Sequence, residues 1–301
     1  MDFVWPEETR SAFGRQTICA QHLLHESPLA TDEGLVELLD RYPRERLGVY
    51  TFPPHGEGRV GASHGRAPDI TGEDLLNAVK TGKIWLNLRA VNQTVSEWAG
   101  LGEVVFRPLE AASGQTIFKQ DVGVLISSPN IHVHYHLDIP LVCLVQLRGS
   151  KTLTLYPPKA PFAPPDQIEA IALRDREADI TYERHFENEA RSFELTPGQA
   201  ITWPQAAPHR VQNGPTMNVS LSCEFMTVEA LLRANAIYTN GVLRRSLGLQ
   251  PSYPLAMDAG NVGKALLARA LQVFRRAPRA DTPMTFEVQG SGDLIDLGRA
   301  A

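Results

Sequence analysis

The sequence predicts a mainly β fold: a sandwich or barrel of short strands, with helical additions at its N- and C-terminal ends. Three observations carry this. The middle of the chain breaks into β-rich runs bounded by Gly, Pro or Asn, namely VGVLISSPN, LVCLVQLRG, KTLTLYPP, RSFELTPGQAITWP and MNVSLSCEF. Within KTLTLY the residues alternate with the two-residue period of a strand. The runs on either side instead place apolar residues three and four apart, the helical spacing. Many short strands with such turns suggest a closed or double-layered sheet rather than a βαβ array.

Taken in order, three regions are expected. Residues 1–95 are a helix-and-loop region packing on the core. Thr31 can cap a helix whose apolar stripe is Leu35, Leu38 and Leu39. A Pro/Gly-rich stretch from Pro53 to Pro68 reads as a surface loop. Thr71 and Asp74 have capping-box-like spacing ahead of Leu75, Leu76 and Val79, and Gly82 ends that helix. Residues 96–228 hold the barrel, with a charged, Pro-containing insertion at about 161–190. Residues 229–301 return to helix in VEALLRANAIYTNGVLRRSLG and NVGKALLARALQVFRRA. These C-terminal helices are candidates for packing on the barrel or on a second copy of the chain.

Composition narrows the function classes. The 301 residues are 43% hydrophobic and 21% charged, as in an ordinary globular protein. The formal net charge of -5, with no Lys/Arg block, argues against nucleic-acid binding. Arg275-Arg276 reads as a helix C-terminus. Cys19, Cys143 and Cys223 are far apart, with no disulfide or zinc spacing, and the latter two read as small buried hydrophobes. The opening MDFVWPEETR is acidic, unlike a signal peptide, and no apolar run nears the roughly 20 residues of a membrane helix. A cytoplasmic protein is expected.

The segment Ile131-His132-Val133-His134-Tyr135-His136-Leu137-Asp138 carries the chemistry. On a strand His136 and Asp138 share a face, with Cα atoms ~7 Å apart, so both can reach one ion. Two His and one carboxylate suit Fe(II) and leave three octahedral positions open. The third ligand should come from a distant strand, and PGQAITWPQAAPHRVQN supplies His209, 73 residues beyond His136. There are nine His in the chain, and a His-x-Asp pair is common by chance. His132 and His134 share the parity of His136. A set using His134 would put the paired ligands four residues apart, so His136 is preferred and His134 is expected beside the site.

The run HLDIPLVCLVQLRGSKTLTLYPP followed by LTPGQAITWPQAAPHRVQN resembles the JmjC and cupin-like hydroxylases. The shared features are His-x-Asp, a Gln-x-Arg-Gly-x-Lys segment, an aromatic-Pro-Pro turn, and a Pro-Gly turn leading to the distal His. They cover roughly residues 120–226. The resemblance implies a double-stranded β-helix (cupin/jelly-roll) core and an Fe(II)- and 2-oxoglutarate-dependent dioxygenase, with His136, Asp138 and His209 as the metal-binding catalytic triad. It implies that Lys151, 13 residues past Asp138, binds the distal carboxylate of 2-oxoglutarate. A buried ammonium offers a point charge and three donors for that task. The bland alternative is a snorkelling strand lysine.

Two positions depart from the asparaginyl hydroxylases of the family. Their Thr three residues before the first His ligand is Val133 here, and their Asn four residues past the aspartate is Val142. Further cosubstrate contacts are therefore sought at Ser220, Ser222, Tyr135 and Thr154. Gln146, Arg148 and Gly149 are expected to serve the fold and Trp203 the core; Asn218 is in reach of the site, but as a strand-edge polar residue is expected to face water. The expected reaction hydroxylates a protein or peptide side chain, or a small molecule, with release of succinate and CO2. The competing class is a non-oxidative metal-binding cupin acting as a binding or regulatory protein.

Overall fold

The computed structural model describes residues 3–51, 62–274, 283–289 and 293–297. The N-terminal region forms α1 (Thr9–Ala12), β1 (Ile18–Gln21), α2 (Asp32–Arg41), β2 (Gly48–Thr51), β3 (Ser63–Arg66), α3 (Gly72–Thr81), β4 (Trp85–Leu88), α4 (Val91–Thr94) and α5 (Leu101–Ser113). Helix α2 begins where its cap requires: the Thr31 hydroxyl accepts the Gly34 N–H at 3.2 Å, and Leu35, Leu38 and Leu39 are buried. At α3, Thr71 Oγ1 accepts the Asp74 N–H at 3.1 Å and donates to the Asp74 carboxylate at 2.7 Å. Gly82 closes α3, and a Cβ there would lie 2.5 Å from the Ala78 carbonyl oxygen. The region expected as helix and loop thus also supplies four strands, each only four residues long. Of the Pro53–Pro68 stretch, residues 53–61 lie outside the described residues, and β3 occupies the part that follows.

The middle of the chain forms β5 (Phe118–Ser127), β6 (His132–His136), β7 (Leu141–Arg148), β8 (Lys151–Leu155), α6 (Pro165–Ala172), β9 (Arg191–Leu195), β10 (Gln199–Thr202), β11 (His209–Asn213) and β12 (Asn218–Met226). All five β-rich runs of the sequence are therefore strands, and the insertion between β8 and β9 is present. Helices α7 (Val228–Leu247) and α8 (Ala259–Phe274) follow, then β13 (Met284–Val288) and β14 (Leu294–Asp296). Those last two strands depart from the all-helical reading of the C-terminal region: β13 adds parallel to β3. Arg275-Arg276 lies outside the described residues.

Two sheets result. One has ten strands in the order β1-β10-β7-β12-β5-β4-β2-β3-β13-β14, the other four in the order β6-β11-β8-β9. Three buried layers follow from strand alternation. Leu141, Cys143, Val145 and Leu147 of β7 join Val219, Leu221, Cys223 and Phe225 of β12 under the N-terminal helices. Their alternates Val142 and Leu144 face Leu153, Leu155, Trp203 and Ala207 in the space between the sheets. Tyr135, Leu137 and Tyr156 point outward from the small sheet onto the insertion and Ile237 of α7. Helices and strands occupy comparable shares of the described residues, so the whole is mixed α/β rather than mainly β. The reason is physical: the outer face of a broad sheet needs a cover, and the N-terminal helices provide it, while α7 packs on the insertion over the small sheet. The facing sheets themselves are jelly-roll-like.

Candidate metal centre

His136 ends β6, Asp138 lies two residues beyond it, and His209 opens β11. His136 and His209 are direct cross-strand partners, with ring centroids 4.1 Å apart. One ligand atom from each of His136, Asp138 and His209 lies within 4.8 Å of the others. Asp138 Oδ2 stands 3.5 Å from His209 Nε2. The backbone fixes both rings: His136 Nδ1 bonds the His134 carbonyl at 2.7 Å, and His209 Nδ1 bonds the Ala207 carbonyl at 3.1 Å. A carbonyl only accepts, so each Nδ1 carries the proton and each Nε2 keeps a lone pair. Burial, reinforced by His136, pushes the His209 pKa down to about 4, so its imidazole is neutral near pH 7. Two imidazole nitrogens and a carboxylate fit a divalent first-row metal.

The register of β6 differs from simple alternation. His209 pairs with His136, but Val211 pairs with Val133 and Gln212 with His132, so β6 carries an extra residue between them. This bulge breaks the shared parity expected of His132, His134 and His136. His132 sits opposite Gln212, its Nδ1 3.0 Å from Gln212 Oε1, while Val133 faces the space between the sheets with Val211. His134 lines that space too, and its carbonyl orients His136.

A cavity of about 440 Å³ opens from the cluster between the sheets, and Lys151 lines it together with His136, Asp138 and His209. Lys151 is only 6% exposed, and its Nζ donates to Ser220 Oγ at 2.8 Å. Burial lowers its pKa to about 8. Among the described residues no carboxylate pairs with it. Ser222 lines the cavity directly, and Ser220 touches it through Lys151. Tyr135 and Thr154 are turned away. The Tyr135 hydroxyl donates to the Phe162 carbonyl at 2.8 Å, and Thr154 Oγ1 lies 3.0 Å from Ser192 Oγ on the outer face of the small sheet. Thr154 alternates with Leu153 and Leu155, which take the inner face.

Other expectations resolve as follows. Gln146 Nε2 donates to the Arg148 carbonyl at 2.6 Å and to Asn218 Oδ1 at 2.9 Å, bracing the β7–β8 turn. Gly149 takes φ +68° in that turn, where a Cβ would meet the Met217 carbonyl oxygen at 2.5 Å. Arg148 pairs with Asp32. Trp203 is buried, as expected, and its ring stands 5.0 Å from that of His209, so it is also a wall of the cavity. Asn218 does not face water: it is fully buried, held by Gln146.

Several cavity residues have no motif. Asn213 is buried and donates to Ser127 Oγ at 2.8 Å and to the Ser128 carbonyl at 3.0 Å. Tyr50 and Trp85, with ring centroids 4.9 Å apart, come from β2 and β4. Arg89 bridges Asp121 at 3.0 Å and Glu224 at 2.8 Å. Burial raises the Glu224 pKa against the pull of Arg89. Glu177 and Asp179 arrive from the insertion. One signal was available: the alternation of Ser220, Ser222 and Glu224 along β12 puts Glu224 on the face of the other two.

No protein-family model matches the chain, and no curated protein matches it. Among solved structures, the chain is similar to an X-ray structure of E. coli YcfD, with a TM-score of 0.49 and 16% identity over 94% of this chain and 71% of that one. A crystal structure described as the Escherichia coli ribosomal oxygenase YcfD gives a TM-score of 0.47 at 16% identity, covering 94% and 70%. A structure of YcfD in complex with cobalt and 2-oxoglutarate gives 0.45 at 16% identity, covering 90% and 68%.

Proposed function

We propose that this chain is an Fe(II)- and 2-oxoglutarate-dependent oxygenase of the JmjC type. It hydroxylates a protein or peptide side chain, or a small molecule, and releases succinate and CO2. The observation that carries the reading is the convergence of His136, Asp138 and His209 on a cavity whose wall buries Lys151 without a carboxylate partner. A buried ammonium is costly unless an anion comes to it. The core is read as a double-stranded β-helix over residues 96–228, in a cytoplasmic protein.

Each residue then has a task. His136 and His209, through their Nε2 atoms, and Asp138, through a carboxylate oxygen, would hold the metal. Fe(II) together with 2-oxoglutarate would supply the activation of O2. Lys151, aligned by Ser220, holds the distal carboxylate. Ser222 offers a second hydroxyl, since Val133 and Val142 bring only methyl groups to the cavity. Leu144, Leu153, Trp203 and Val211 exclude water from the inner part. Farther out, Tyr50 and Trp85 give aromatic surface, and Glu177 and Asp179 disfavour an anionic substrate.

Alanine variants test the assignment. His136→Ala, Asp138→Ala and His209→Ala should each reduce 2-oxoglutarate turnover to background while circular dichroism reports an intact fold. Full turnover in His136→Ala or Asp138→Ala contradicts the assignment.

A further inference from the structure

We propose that Glu169 and Arg244 position the metal-ligand strand through a strap of residues 174–181. The strap locks the register of the bulged strand β6, so that His136 and not His134 stands opposite His209. This rests on the metal-centre reading above.

Strand β6 is the weak point of the site. It is the edge of the four-stranded sheet, and among the described residues β11 is its only partner strand there. It also carries the bulge, and a bulged edge is where a one-residue slip is easiest. The strap covers that edge on both sides of the ligand. The Leu137 N–H donates to the Ala178 carbonyl at 3.2 Å, the Ile180 N–H to the Tyr135 carbonyl at 3.5 Å, and His136 pairs antiparallel with Asp179.

The strap has few anchors of its own. Arg176 Nε donates to the Asp179 carbonyl at 2.6 Å, Glu177 stands 3.8 Å from His64 Nε2, and Ile180 is buried beside Tyr135 and Leu137. Both its ends are tied to α6. Arg174 leaves that helix with φ +60°, and the Asp175 N–H returns to the Ala170 carbonyl at 3.0 Å. At the far end, Gln167 of α6 exchanges two 2.9 Å hydrogen bonds with Thr181. Helix α6 in turn is clasped to α7. Glu169 is 1% exposed and receives a fork from Arg244, Nε at 2.7 Å and a terminal nitrogen at 3.2 Å. Arg245 pairs with Asp175 at the root of the strap. Glycine at 241 lets the helices close, because a Cβ there would meet Leu173 Cδ1 at 2.7 Å. The clasp thus lies outside the cavity and reaches His136 through the strap and its backbone hydrogen bonds on either side of the ligand.

Cobalt(II) serves as the probe, with Kd measured at 25 °C on variants shown to be folded by circular dichroism. Arg244→Gln leaves the buried Glu169 carboxylate unpaired, and Glu169→Gln takes the carboxylate away from the partly exposed Arg244 fork; both should weaken Co(II) binding about tenfold, as loss of an orienting partner does at metal sites. Both should also speed tryptic cleavage after Arg174 and Arg176. The double variant, with a neutral amide pair, should recover most of the affinity and protection. Arg244→Lys keeps the charge and loses the fork; it serves if the glutamine variants fail to fold, and should weaken Co(II) several-fold. A pair that only stabilises the fold would lower the melting temperature and leave Co(II) affinity untouched. Affinity within twofold of the parent in the folded variants overturns the proposal. Equal Co(II) binding by the parent and His136→Ala would instead overturn the metal-centre reading itself.

Discussion

Lys151 concentrates the chemistry of the site in one side chain. Its pKa, lowered to about 8 by burial, makes a direct prediction. Below pH 8 the ammonium is charged and ready for an anion; above it the free protein must take up a proton on binding. The Kd for 2-oxoglutarate should therefore be flat below pH 8 and rise about tenfold per unit above it, until the unbound and bound pKa values are both passed. Isothermal titration from pH 6.5 to 9.5 checks this, and a flat profile contradicts it. The same burial costs stability. Because the folded pKa lies below the unfolded value, the penalty is fully present below pH 8 and fades as pH rises toward the unfolded pKa. Lys151→Met should stabilise the metal-free protein by about 2 kcal/mol at pH 7, read from urea unfolding, while abolishing 2-oxoglutarate binding. At this scale much was legible. Ser220 and Ser222 stand with Lys151 at the cavity. Tyr135 and Thr154 do not, because strand alternation turns both outward, Tyr135 between His134 and His136 and Thr154 between Leu153 and Leu155.

Among elements, β12 shows how one strand serves two layers. Val219, Leu221, Cys223 and Phe225 enter the core under the helices, while Ser220, Ser222 and Glu224 face the site. The two faces should fail independently. Leu221→Ala, at a fully buried position, should cost about 2–5 kcal/mol of unfolding free energy and leave Co(II) affinity in the folded protein unchanged. A coupled loss of affinity would show that the faces are not separable. The caps at Thr31 and Thr71 were readable because cap chemistry is local, and the mid-chain strands because their β-rich runs are bounded by Gly, Pro or Asn. Strands β1 to β4 were not, since four residues complete barely two periods and their pairing is decided by distant neighbours. The bulge in β6 was equally silent: nothing in His-Val-His-Tyr-His marks where the extra residue falls, and the β11 partner decides it.

The whole molecule brings together what the chain separates. His136 and His209 are cross-strand neighbours although 73 residues apart, and the aromatic wall of Tyr50 and Trp85 comes from β2 and β4 in the middle of the large sheet. The triad could be anticipated from residue types and order, whereas Asn213, Arg89 and the acidic strap required the assembled sheets. The central claim is that one metal and one keto acid meet at this cavity. Anaerobic addition of Fe(II) and then 2-oxoglutarate should produce a new visible absorption band that saturates at one equivalent. Admission of O2 should then release one succinate per 2-oxoglutarate consumed. A spectrum unchanged by 2-oxoglutarate at saturating Fe(II), with no succinate formed, would contradict the account.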